Sequence, residues 1–163
     1  MKELTGKVAL VTGGSRGIGA AIARRLAHDG ATVALTYVSA TDKAQEVAAQ
    51  IEADGGRVLV IKADNADPSA ATGTVEQTVR DLGRIDILVN NAGIFSGGPL
   101  EELTLDQVDR ILAIDIRAVF LASQAAARHM TAGGRIINIG SALAERVPVS
   151  GMTLYATCKA ALT

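Results

Sequence analysis

Apolar residues fall into two alternating kinds of segment along this chain. Short, nearly uninterrupted runs at 8–11, 32–35, 58–61, 85–89 and 135–139 are rich in Val and Ile and bounded by Gly, Asp or Asn. A run of that length with no polar alternation reads as a strand buried on both faces of a parallel sheet. The stretches between them carry apolar residues at helical spacing: 18–28 closed by Gly30, 42–53 closed by Gly55 and Gly56, and 68–82 closed by Gly83. Glycine just past the last periodic position is a helix stop, and Pro68 near a helix start gives up no needed N–H. Further helical patterns cover 104–113 and 114–130 before Gly133 and Gly134, and a last helix opens near Met152 or Thr153. Strand and helix in strict alternation predict an α/β protein with a doubly wound parallel sheet, three-layer α/β/α, in a single domain over 1–163.

Composition narrows this picture. The chain has 163 residues, 48% hydrophobic and 20% charged, with a formal net charge of −1. There is no basic excess of the kind that nucleic acid or an anionic membrane surface attracts, so neither is an expected partner. No apolar run approaches the roughly 18 residues of a membrane span, and the first strand follows the first residues without a signal-peptide core, so a cytoplasmic location is expected. One cysteine, Cys158, excludes an internal disulfide framework. With no Trp, two Phe and two Tyr, the core is expected to be Ala, Val, Ile and Leu.

The first strand runs directly into Thr12-Gly13-Gly14-Ser15-Arg16-Gly17-Ile18-Gly19, which opens the first helix. Glycines there permit a tight turn and close approach of backbone to a pyrophosphate, and the helix N-terminus offers free N–H groups and a positive dipole end. The spacing is Gly-x3-Gly-x-Gly, not the commoner Gly-x-Gly-x-x-Gly, which implies a different subgroup of dinucleotide site. The second strand ends in Thr36-Tyr37-Val38-Ser39, with no carboxylate before Asp42. A carboxylate there would hold the ribose 2′-hydroxyl of NAD, whereas Arg16 and the hydroxyls of Ser39 or Thr41 suit a 2′-phosphate. The expectation is NADP(H) in preference to NAD(H).

At the other end, Tyr155 and Lys159 are four apart and share one helix face. A phenol is a poor base in water, and an ammonium one turn away favours its phenolate. Such a phenol can give or take a proton in a carbonyl/alcohol reaction. Ser141 follows the fifth apolar run, where a serine also serves to cap the following turn.

Together these segments resemble the short-chain dehydrogenase/reductase family in its compact single-domain, Rossmann-like form. The glycine loop, Asn90-Asn91-Ala92-Gly93 after the fourth strand, Ser141 after the fifth, and Tyr155-Ala156-Thr157-Cys158-Lys159 occur in the family's order. The resemblance implies Tyr155 as general acid/base, Lys159 on the nicotinamide ribose, and Ser141 on the substrate carbonyl. It implies Asp64 with Asn65 near the adenine, Gly13, Ser15, Arg16, Gly17, Ile18 and Gly19 on the phosphates, and Tyr37 and Ser39 at the adenosine ribose. Asn90 is implied for backbone and cofactor ribose, and Asn91, Ala92 and Gly93 for the cofactor. Where the family commonly has a relay asparagine, this chain has Asp115, which accepts hydrogen bonds but cannot donate as an amide does.

Within the family the sequence is most like 3-oxoacyl-[acyl-carrier-protein] reductases of fatty acid metabolism. That implies a small ketone/alcohol substrate, acyl carrier protein as a partner, and a homodimer or homotetramer. The family continues past the Tyr-x3-Lys helix with two more strands, a substrate-covering loop and a Pro-Gly segment. The sequence ending at Thr163 is therefore expected to lack the last strands of the usual fold. An inactive cofactor-binding or oligomeric module is the alternative that this truncation and Asp115 raise. The remaining candidates read as ordinary: His28 and His129 near helix ends, Cys158 facing away from the Tyr155–Lys159 side, Glu101 and Glu102 as a helix-start charge pair, Asp106 and Asp109 as solvated helix charges, and no metal site.

Overall fold

A computed structural model describes residues 2–163. Five strands form one parallel sheet: β1 (Val8–Val11), β2 (Thr32–Tyr37), β3 (Arg57–Lys62), β4 (Ile87–Asn90) and β5 (Arg135–Asn138). Their order is β3-β2-β1-β4-β5, so the chain winds outward from β1, then crosses back to start again at β4. Loops leaving β1 and β4 diverge at that switch point, and the crevice between them is where doubly wound sheets take ligands.

Alternation along the strands builds the two helix layers. Ala9, Val11, Val33, Leu35, Ile87 and Val89 pack on one face against α1 (Gly17–His28) and α2 (Thr41–Ala53). Leu10, Ala34, Ile61 and Leu88 pack on the other against α3 (Pro68–Leu82), α4 (Leu105–Leu112) being set apart, and α5 (Ala118–His129). Successive strand side chains point to opposite faces, so a run apolar at every position fills both layers. The small residues Ala122, Ala125 and Ala126 of α5 lie buried in this second layer. A third cluster, Ile111, Leu154 and Cys158, fastens α6 (Thr153–Ala160) to α4.

The helix ends obey local chemistry. Asp67 caps α3 by accepting the Ser69 N–H at 2.8 Å, Pro68 occupies the first turn, and Gly83 closes it at φ 85°. Thr104 and Gln107 form a capping box at the start of α4.

Three features depart from the sequence expectation. The helical stretch 104–130 is interrupted by a π-helical turn, Ala113–Arg117, between α4 and α5. Short 3-10 turns at Leu100–Glu102 and Ala142–Ala144 were not expected from the spacing. The fifth run does form a strand, but it is not buried: Ile136 and Ile137 are 40% and 45% exposed. It is the last strand of the sheet and pairs with β4 alone. No described helix is long and apolar enough to cross a membrane.

Candidate active site

The glycine loop is shaped by what crowds it. Gly13 stands at φ +66°, and a Cβ there would sit 3.0 Å from the Ala92 Cα. A Cβ on Gly19 would collide with the Gly13 carbonyl oxygen and the Asn91 Nδ2, so the first turn of α1 can close on the loop only without a side chain. Three hydrogen bonds from two donor groups then fix the loop. The Gly13 N–H donates to the Thr36 Oγ1 at 3.0 Å, and the Asn91 amide donates to the Thr12 and Gly13 carbonyls at 2.9 and 3.1 Å. The Thr12 Oγ1 in turn accepts from the Asn91 and Ala92 N–H groups at 3.0 Å. Strands β1, β2 and β4 are thus knotted together at their carboxyl ends.

A cleft of about 510 Å³ opens there. It is lined by these residues expected of a cofactor site: Gly13, Ser15, Arg16, Gly17, Ile18 and Gly19 after β1, Tyr37 at the end of β2 and Ser39 after it, Asp64 and Asn65 after β3, and Asn91, Ala92 and Gly93 after β4. Among the described residues α1 has no side-chain cap and no acid in its first turn, so its N–H groups and positive end are free for an anion. The uncapped terminus, the glycine cradle and Arg16 fit a dinucleotide pyrophosphate. The Asp64 carboxylate accepts the Ala66 N–H at 2.9 Å, which fixes the turn after β3.

Some lining residues escaped the sequence reading: Thr36, Val38, Ala40, Ile94, Arg110 and Ile114. Thr36 could have been found, because a buried hydroxyl inside an apolar run needs a partner. Arg110 and Ile114 arrive from α4 and the π turn, and nothing in their local spacing announces it.

Asn90 requires a correction. It does not line the cleft; its amide donates to the Ser123 Oγ at 3.1 Å and the Asn138 Oδ1 at 2.9 Å. It is the last residue of β4, and its side chain points to the face opposite Asn91, where it ties β4 to β5 and α5.

Tyr155, Lys159, Asp115 and Ser141 lie beside the cleft rather than in its walls. Tyr155 is half-buried, with the Lys159 Nζ 5.7 Å from its ring centre. Lys159 is 7% exposed and donates to the Ile139 carbonyl at 3.2 Å, which moors α6 to the end of β5. Asp115 is fully buried in the π turn. Its Oδ1 accepts the Ile94 N–H at 2.9 Å, and its Oδ2 stands 3.2 Å from the Lys159 Nζ. That second contact is a charge pair misaligned for a hydrogen bond, so Oδ2 is buried with no donor of its own. A Cβ on Gly93 would lie 3.0 Å from that oxygen and 3.4 Å from the Lys159 Nζ. Gly93 is therefore the seam between the cleft and the ionic pair.

The Ser141 Oγ accepts the Leu143 N–H at 3.2 Å and caps the 3-10 turn that packs on α6. Its capping role is real, and its own proton stays free to donate. Cys158 does not face away from this group. It is fully buried, and its thiol is pushed up by burial and by the nearby Asp115 charge, against a smaller opposite pull from Lys159. Among the described residues no cluster of His, Cys, Asp and Glu could hold a metal ion.

A doubly wound α/β fold with a glycine cradle at its switch point defines a dinucleotide-site class. More narrowly, the chain belongs to the short chain dehydrogenase family, whose model matches residues 7–163. It is 46% identical over 162 residues to the cyclic-di-GMP-binding biofilm dispersal mediator protein of Escherichia coli, covering 99% of this chain and 65% of that one. A short chain dehydrogenase from Burkholderia cenocepacia, solved in complex with NADP, superposes with a TM-score of 0.96 at 60% identity, over 98% of this chain and 65% of its own. An angucycline C-6 ketoreductase with bound NADP gives a TM-score of 0.91 at 44% identity, over 98% of this chain and 64% of its own. The chain spans about two thirds of the length of the relatives it matches.

Proposed function

We propose that this chain is the cofactor-binding and proton-transfer portion of an NADP(H)-dependent oxidoreductase that interconverts a ketone and a secondary alcohol. The observation that carries the reading is Gly93, which lines the dinucleotide-shaped cleft and abuts the Asp115–Lys159 pair one helical turn from Tyr155. Preference for NADP(H) is supported by exposed Arg16 and Ser39 in a cleft whose β2 side, Thr36 to Ala40, carries no carboxylate. The two NADP-bound neighbours agree with it.

A bound nicotinamide dinucleotide supplies the hydride. The Tyr155 phenol gives its proton to the carbonyl oxygen in reduction and takes it back from the alcohol in oxidation. The Ser141 O–H donates a hydrogen bond to the same oxygen, and keeps its proton, as negative charge develops there. Lys159 keeps ammonium protons beyond the one held by Ile139 and directs them toward the cofactor ribose. Asp115 balances the buried ammonium and keeps it in place.

A 3-oxoacyl thioester on acyl carrier protein, in fatty acid metabolism, is the narrower substrate we infer from the sequence resemblance. Action in the cytoplasm as a homodimer or homotetramer belongs to the same reading. The exposed apolar side chains Leu105, Leu112 and Phe120 of α4 and α5 favour a second copy on that face.

The test is a ketone panel with NADPH, followed by loss of its absorbance, alongside a fluorescence titration of NADPH binding. Turnover that disappears in Tyr155→Phe while binding persists is the expected result. A second reading, a nucleotide-binding module without turnover, is favoured by the carboxylate at position 115 and by the binding function named for the Escherichia coli relative. It predicts NADPH binding with no ketone reduction and no effect of Tyr155→Phe.

A further inference from the structure

The π turn Ala113–Arg117 makes three separate contacts within five residues. Ile114 lines the cleft, Asp115 stands 3.2 Å from the Lys159 ammonium, and Arg117 reaches the other way, toward the turn after β3. The Arg117 Nη2 donates to the Ala66 carbonyl at 2.7 Å. Its charge is also felt at Asp67, whose carboxyl is held below the usual carboxylate range chiefly by the Ser69 hydroxyl and N–H, with a smaller pull from Arg117.

The turn that receives this bond is otherwise closed on itself. The Asp64 carboxylate accepts the Ala66 N–H at 2.9 Å, the Asp67 N–H donates to the Asp64 carbonyl at 3.0 Å, and Asp67 caps α3. Among the described residues, every other hydrogen bond of 64–67 stays between 64 and 71, so Arg117 supplies the one tie from outside. At the other end of the same π turn, Asp115 pairs with Lys159, which is moored to the Ile139 carbonyl just past β5. One short turn thus links the ends of β3 and β5, which have three strands between them.

We propose that Arg117 is a positioning residue that ties the adenosine end of the cleft to the proton-transfer pair, so that a ligand held at Asp64 and Asn65 fixes the Asp115–Lys159 geometry at the far end. It rests on the reading of the cleft as a cofactor site with Tyr155 and Lys159 at its reacting end. Arg117 and Asp115 belong to one hydrogen-bonded turn, so no flexible loop lies between them to absorb a displacement, and rigid elements of that kind carry coupling between sites. Binding energy gained at the adenosine, remote from the reacting atoms, then contributes to orientation where the chemistry occurs.

The experiment measures amide hydrogen exchange in the full protein, wild type and Arg117→Met, with and without saturating 2′,5′-ADP, the adenosine end of NADP alone. In wild type the ligand should slow exchange in both 63–70 and 113–118. In Arg117→Met the protection of 63–70 should stay, and that of 113–118 should fall about three- to tenfold, the share one net hydrogen bond carries. For a ketone that wild type reduces with NADPH, kcat should fall over the same range, with the ketone KM and the melting temperature unchanged. Equal protection of 113–118 in the two proteins, none there in wild type, or an unchanged kcat overturns the proposal. So does exchange that quickens to the same degree with and without the ligand, which marks a merely structural bond. No protection of either segment in wild type overturns the cofactor reading as well. If wild type reduces no ketone, the reductase reading fails and the exchange pattern alone decides.

Discussion

Two aspartates are buried at opposite ends of this sheet, and their surroundings differ. Asp86, just before β4, accepts the Val8 N–H at 2.9 Å, the Lys7 ammonium at 3.2 Å, and both prongs of the Arg84 guanidinium at 2.6 and 2.8 Å. Burial alone pushes its carboxyl up, but Arg84, the Val8 amide and Lys7 together outweigh burial and hold it below the usual carboxylate range. Asp115, near the carboxyl end of β4, accepts one N–H and sets its other oxygen 3.2 Å from the Lys159 ammonium. One edge of the sheet is closed chemistry, complete within the fold. The other keeps donors, acceptors and helix ends in reserve, as the carboxyl edge of a doubly wound sheet does when it serves a ligand.

The contrast can be broken most forcefully at Tyr155. Tyr155→Phe should lower kcat by about 10²–10⁴-fold, the contribution of a positioned proton donor, without moving the melting temperature. An unchanged rate places the proton donor elsewhere. Asp86→Asn should do the reverse, costing about 3 kcal/mol in urea unfolding, at the low end for a broken buried pair because Lys7 and Arg84 can be rehydrated. NADPH affinity should not change in that variant.

Gly19→Ala should affect both readouts, because its methyl meets the Gly13 carbonyl and the Asn91 amide. About 1–3 kcal/mol of stability is expected to go with the overpacked loop, together with weaker NADPH binding by fluorescence. Asp115→Asn should cost about 3–5 kcal/mol, since it leaves the buried Lys159 ammonium without its counter-charge, and should also weaken NADPH binding, which Asp86→Asn leaves unchanged. A loss of stability with NADPH binding intact would erase the distinction between the two ends of the sheet.

Acid gives the smallest and most specific test. The folded Asp86 carboxyl lies below its unfolded value of about 3.9, so its stabilisation is in full force above that pH and is lost as pH falls through the folded value. The stability gap between wild type and Asp86→Asn should therefore be flat from neutral pH to near pH 4, and shrink below it.

Features governed by neighbours in sequence were legible in the sequence. The strand–glycine–helix start, the carboxylate-free end of β2 and the turn after β4 all declared themselves locally, and the fold brings them into one cleft. What was hidden depends on distant partners. Asp86 sits at the start of an apolar run, and its role comes from Lys7 and Val8 at the far end of the chain. Asn90 and Asn91 are adjacent letters of one motif, but strand geometry sends them to opposite faces, and only Asn91 reaches the cleft. The exposure of β5 belongs to a chain that spans about two thirds of its relatives' length, and the expectation that the last strands of the usual fold are lacking already pointed to it.

The π turn Ala113–Arg117 has a consequence for how this region tolerates change in length. Such a turn holds one residue more than an α-helical turn, so it works as a phase shifter between α4 and α5. A residue inserted into a regular helix rotates everything downstream by about 100°; the π turn takes up its extra residue locally, so α4 keeps its packing on α6 while the alanines of α5 keep facing the sheet. Deleting one residue from the turn would restore a regular α-helix with both flanks in place and shift only the residues of the turn itself, Asp115 among them.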